Sequence, residues 1–278
     1  MSRPAPDMPG PAAPAAFRHE VRRIGPCDEQ WPGAQLAALQ AAAGQHGAEL
    51  APPGALWAAG RLPVGDALAR AVAIVGATDA TPYGVRVAAD LAYGFGRWGW
   101  TVVSGGGYGI AGAAHRAALS AGGATVAVLP GGLRRLYPAG HAVLFDRIAA
   151  EGGLLLSECP PDCPPSRQRV AARNRLLAAL AVGTVLVEAD RVPGAGSVAR
   201  RTYELGRVLM AVPGPVTSTG WAGCHWLVRQ GHARLITCVQ DVLATLDQHA
   251  GAPHPGHPLT GRYQERLPAD LPAGPRVR

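Results

Sequence analysis

Four stretches of this 278-residue chain end in glycine just where an apolar run stops: Gly76-Ala77-Thr78, Ser104-Gly105-Gly106-Gly107, Leu129-Pro130-Gly131-Gly132 and Pro213-Gly214-Pro215. Glycine tolerates positive φ and lets backbone approach a ligand closely, and a helix N-terminus behind it offers unpaired N–H donors. Those are the requirements for holding a phosphate. A fifth stretch, SRQRVAARNR (166–175), carries four arginines and no acid. Guanidinium forks suit bidentate contacts to phosphate. At helical spacing Arg169 and Arg173 share a face, as do Ser166 and Arg169. Tight strand-to-helix turns alone would explain one or two such glycine loops, and a solvated helix face would explain the arginines. Several loops together with an arginine-rich stretch argue for a phosphate-binding surface.

The spacing narrows which phosphate chemistry is expected. Gly107 to Gly112 reads G-x-G-x-x-G, but it follows the second strand of the core. The acid expected about 20 positions further on is replaced by Leu129-Pro130. A dinucleotide cofactor is therefore not expected, and a chain without lysine cannot form a Walker loop. No catalytic constellation emerges. His115 has no acid placed to orient its ring, and Cys224-His225 are neighbours in sequence only, so both read as packing or capping groups. Cys159 and Cys163 lack the second pair or histidine that zinc needs. The five cysteines read as reduced and unpaired. Neither a metal nor a cofactor is expected, and the chain reads as a non-enzyme.

Elements must place these loops together. Short apolar runs recur at regular spacing from residue 71: AVAIVG (71–76), TVVSG (101–105), ATVAVLP (124–130), GLLLSE (153–158), GTVLVEA (183–189), RVLMAVPG (207–214) and ARLIT (233–237). Helical stretches such as 86–99, 114–123 and 173–180 separate them. Strands without inside–outside alternation, interleaved with helices, predict a doubly wound, mostly parallel α/β sheet covered on both faces. In such sheets ligands bind beyond the carboxyl ends of strands, where the glycines fall. Residues 1–16 read as a disordered leader and 17–70 as an irregular extension packed on the core. The main domain spans 71–248, and 249–278, with His249, His254 and His257, is a proline-rich tail. All 26 basic residues are arginine against 19 acids, and the middle of the chain holds sixteen of them against ten acids. Glycine and arginine interrupt every apolar run short of a membrane span, and no signal peptide is recognisable. A cytoplasmic location with no membrane partner is expected.

At these residues the sequence resembles the DprA/Smf family of DNA-processing proteins. The matching pieces are AVAIVGA with TPYG (71–84), TVVSGGGYGI-x-GAAHRAAL (101–119), VAVLPGGLRRLYPAG (126–140), LLSE-x-PP (155–161), RNRLLAAL (173–180), VLVEA (185–189), AVPGPVTS (211–218) and AGCHWLVRQGHARL (222–235). The resemblance implies an extended Rossmann-like fold and a homodimer. It also implies single-stranded DNA binding without cleavage, and help in loading a RecA-type recombinase during DNA uptake. Carried over, Gly76 and Thr78 belong to the loop after the first strand. Ser104, Gly105 and Gly106 form the phosphate-contacting second loop, and Arg173-Asn174-Arg175 is the family's Arg-Asn-Arg. Arg116, Arg169 and Gly194 complete the expected DNA-binding set. The chain departs from the pattern in four places. Ala77-Thr78 stand for Ser-Arg, Ala111 for Asp and Val170 for an aromatic, and Pro193 to Val198 replaces Ser-Gly-x-x-x-Thr. Two alternatives remain: an enzyme resembling the phosphoribohydrolases, whose Gly-Thr and Glu are missing between Leu133 and Tyr137, and a degenerate dimeric scaffold.

Overall fold

The computed structural model describes residues 19–190 and 195–249. Along the chain, β1 (Arg22–Ile24), α1 (Gly33–His46), β2 (Leu56–Ala59) and α2 (Val64–Ala69) precede the first long apolar run. That run is β3 (Ala71–Gly76), followed by α3 (Pro82–Arg97), β4 (Thr101–Gly105), α4 (Ile110–Ser120) and β5 (Thr125–Val128). Next come α5 (Ala142–Ala150), β6 (Leu154–Ser157), α6 (Arg167–Ala179) and β7 (Gly183–Val187). The chain continues through α7 (Ala195–Glu204), β8 (Val208–Ala211), α8 (Ala222–Arg229), β9 (Arg234–Leu235) and α9 (Val239–His249).

Every apolar run read from the sequence is a strand, and β3 to β9 pair in parallel. The nine strands lie in the order β1-β2-β6-β5-β4-β3-β7-β8-β9. From β3 the chain steps outward through β4, β5 and β6, then returns to β7 on the other flank of β3. The carboxyl ends of β3 and β7 therefore flank the point where winding reverses, where open sheets bind ligands. Ala71 to Ile74 in β3 are fully buried, because helices cover both faces and β-branched side chains suit that pleated interior.

Local chemistry sets the helix starts. Thr81 caps α3 by accepting the Gly84 N–H, with Pro82 in the first helical position. Ser166 caps α6 in the same way by accepting the Arg169 N–H at 3.2 Å. Helix α3 and the turn after α4 approach closely at Gly96 and Gly123, where a Cβ on Gly123 would lie 2.3 Å from the Gly96 Cα.

Residues 19–70 correct the reading of an irregular extension. They carry a 14-residue helix and two strands that continue the main sheet, with β2 antiparallel to β6. Leu39, Leu50, Leu56 and Leu68 are buried in the same core cluster as β3. The leader at 1–16 lies outside the described residues, as does the tail beyond His249, the last residue of α9. Among the described residues no helix is long and apolar enough to cross a membrane.

Candidate nucleic-acid interface

A cavity of about 140 Å³ opens beyond the carboxyl ends of β3 and β4. It is lined by Gly76, which ends β3, and Thr78 just beyond it, and by Ser104 and Gly105 at the end of β4 with Gly107 after them. One face of α6 forms its wall: Val170, Arg173, Asn174 and Leu177 recur at three- and four-residue spacing and all line it. Tyr108 and Val198 complete the rim.

Arg173 dominates the electrostatics. Its Nη1 donates to the Val128 carbonyl at 3.1 Å, while its Nε is buried without a partner. Burial pulls its pKa from 12.5 down to about 10, so it stays charged at neutral pH. Among the described residues no carboxylate forms a salt bridge with it. A Cβ on Gly105 would lie 2.0 Å from Arg173 Nη1; the glycine leaves the space that the guanidinium fills.

Two buried histidines hold the glycine loop. The Nε2–H of His115 donates to the Gly105 carbonyl at 3.0 Å, and its Nδ1 lies 2.7 Å from the Thr125 hydroxyl, which itself reaches the Val102 carbonyl at 2.9 Å. Burial pushes the His115 pKa down to about 4, so the ring is neutral. The Nδ1–H of His141 donates to the Gly106 carbonyl at 2.9 Å, and its Nε2 accepts from Arg116 at 3.1 Å.

The expected set divides on this geometry. Gly76, Thr78, Ser104, Gly105, Arg173 and Asn174 meet at one cavity. Ser104 spends its proton on the Ile74 carbonyl at 2.6 Å. Gly106 does not line the cavity: a Cβ there would strike Leu129 and Phe145. Arg175 does not line it either. Two residues from Arg173 it projects from the opposite side of α6, where it grips both Glu158 oxygens at 2.9 and 2.6 Å. Two further donors reach the Ala51 and Ala172 carbonyls, so it braces the fold. Arg169 is tied to the Pro164 carbonyl at 2.6 Å, and Arg116 stands beside His141 away from the cavity floor. Gly194 lies outside the described residues. At Gly132 and Gly214 the missing side chain serves packing, against Pro160–Pro161 and Trp221.

Sequence reasoning missed Glu188, the first residue past β7. It is buried, with φ at 56°. Its carboxylate accepts the Thr81 N–H at 2.9 and 3.1 Å and the Thr81 hydroxyl at 2.9 Å. A Cβ on Gly84 would lie 2.1 Å from Glu188 Oε2. The chain's own carboxylate thus sits at the start of α3. An acid directly at a strand's carboxyl end was the available signal.

Among the described residues no carboxylate, imidazole or thiol lines the cavity, which offers a cation, an amide and hydroxyls to an anion.

The fold is that of solved DNA-processing proteins. DprA from Streptococcus pneumoniae superimposes with a TM-score of 0.72 at 31% identity, covering 82% of this chain and 75% of that one. A DNA processing protein A from Helicobacter pylori, described for its single-stranded DNA binding mode, gives 0.69 at 25% identity over 84% of this chain and 98% of that one. The chain belongs to the DNA recombination-mediator protein A family, whose model matches residues 24–247. It is 48% identical over 231 residues to a putative DNA processing protein DprA of Mycobacterium tuberculosis, covering 82% of this chain and 58% of the relative. To the Smf protein of Escherichia coli it is 38% identical over 194 residues, 70% of this chain and 51% of that protein. The chain thus spans little more than half the length of these curated relatives.

Proposed function

We propose that the cavity seats a backbone phosphate of single-stranded DNA and that the protein binds the strand without cleaving it. The observation that carries this reading is Arg173: a half-buried guanidinium with a buried, unpartnered Nε, against a glycine, in a cavity that no acid lines among the described residues. An anion entering there would offset the cost of burying the charge. The single-strand mode named for the Helicobacter pylori relative and the family's recombination-mediator description support extending the reading. On that basis the bound strand would be handed to a RecA-type recombinase by a cytoplasmic homodimer.

Fluorescence anisotropy with labelled strands of about 20 nucleotides tests the core of the proposal. Single strands are expected to bind more tightly than duplex. Arg173→Met should weaken binding by about 1–3 kcal/mol and flatten the slope of log affinity against log salt by about 0.7. Equal or tighter duplex binding, or release of base from AMP abolished by an Arg116 variant, would overturn it.

A further inference from the structure

Beside the cation stands an aromatic ring that the phosphate seat alone does not use. Tyr108 is 48% exposed and lines the same cavity as Arg173. Other aromatic side chains are as exposed, among them Tyr93, Trp98 and Tyr137, yet none of them lines this cavity.

The ring is held by a built support. His141 packs edge-to-face on it with centroids 4.6 Å apart and planes at 64°. His141 is fixed by Gly106 on one nitrogen and Arg116 on the other, and its own ring meets the buried Phe145 at 6.0 Å. Two glycines leave room for this stack. A Cβ on Gly140 would lie 2.3 Å from the Tyr108 hydroxyl oxygen. One on Gly112 would lie 2.8 Å from His141 and 2.9 Å from Arg116. The last glycine of the G-x-G-x-x-G run therefore makes space for an aromatic support.

The geometry points to Tyr108 as a stacking platform for a base of the strand whose phosphate lies against Arg173. This rests on the phosphate reading above and adds the recognition of an unpaired base. An exposed ring braced from behind loses little freedom when a flat partner covers it. Every nucleobase has a π-face to offer, so the contact is indifferent to sequence but requires a base that is not buried in a duplex.

The test compares oligothymidylate with an abasic strand of equal length and charge, by anisotropy, on folded protein verified by circular dichroism. The wild type should prefer the base-bearing strand about tenfold. Tyr108→Phe should keep that preference. Tyr108→Ala should lose it, through weaker oligothymidylate binding, with abasic affinity and salt slope unchanged. Unchanged oligothymidylate binding by Tyr108→Ala would overturn the proposal, as would equal losses on both strands, which would mean that the ring only shapes the loop. Arg173→Met read on the abasic strand tests the phosphate seat separately: weakened binding there supports the seat whatever Tyr108 does. A wild type that binds neither strand overturns both.

Discussion

The turns after β3 and β4 stand side by side at one edge of the sheet, yet they treat that edge in opposite ways. After β3 the protein supplies its own anion. Glu188 reaches over from β7, 107 residues away in sequence, and closes the start of α3 through Thr81. After β4 the loop carbonyls are pinned by two neutral histidines, and the nearby charge is a desolvated guanidinium without a carboxylate. One turn is self-satisfied and the other is incomplete. The lesson is that glycine content does not distinguish a ligand loop from a structural one; the state of pairing around it does. The switch point between β3 and β7, where a ligand is ordinarily sought, is here closed by Glu188, and the open cavity lies on the other side of β3, between it and β4.

Three substitutions probe that contrast. The largest effect is expected from Arg175→Ala, which strands Glu158. Breaking a largely buried ion pair costs about 3–5 kcal/mol, to be read in urea unfolding, while the salt slope of DNA binding by the folded fraction stays at the wild-type value. A change in slope would mean that Arg175 also meets phosphate. Glu188→Gln comes next. It weakens a charge-assisted cap and turns an amide donor toward Thr81, lowering stability by about 1–2 kcal/mol with less than a twofold change in single-strand affinity. A tenfold loss of affinity would show that the two turns act as one site. The smallest effect is expected from Thr78→Arg, placing a cation on the rim of the cavity, where Thr78 is exposed. It should steepen the salt slope by about 0.7 and tighten low-salt binding about tenfold, or 1.4 kcal/mol. Thr260→Arg serves as a control for charge alone; equal behaviour of the two would remove the rim from the interface.

Much of this architecture was legible in the sequence. Strands buried on both faces show as uninterrupted apolar runs, so β3 to β8 were visible and so was the edge where the glycines gather. Helix α1 was not, because GAQLAALQAAAGQH spreads small residues all round and leaves no stripe to read. Strands β1 and β2, three and four residues long, are too short to show a period. Within the site, Arg173 and Arg175 looked equivalent because their difference is one of helix phase, fixed by Glu158 and by the wall that α6 presents. Tyr108 hid inside a motif read for its glycines. Glu188 showed only as an acid at a strand's carboxyl end; its left-handed backbone and its partner Thr81, 107 residues away, are encoded by no local pattern.

The margins of the sheet carry a consequence for how copies of this chain can meet. On one flank the outermost strand is three residues long, and its Arg22 is folded back onto the Gly60 and Leu62 carbonyls at 2.7 and 3.1 Å. On the other flank it is two residues long, Arg234–Leu235. Short, charged borders offer a neighbouring strand only a few main-chain bonds and so resist ribbon-like aggregation. Among the described residues, continuation of the sheet from one molecule into the next is thereby discouraged at both ends.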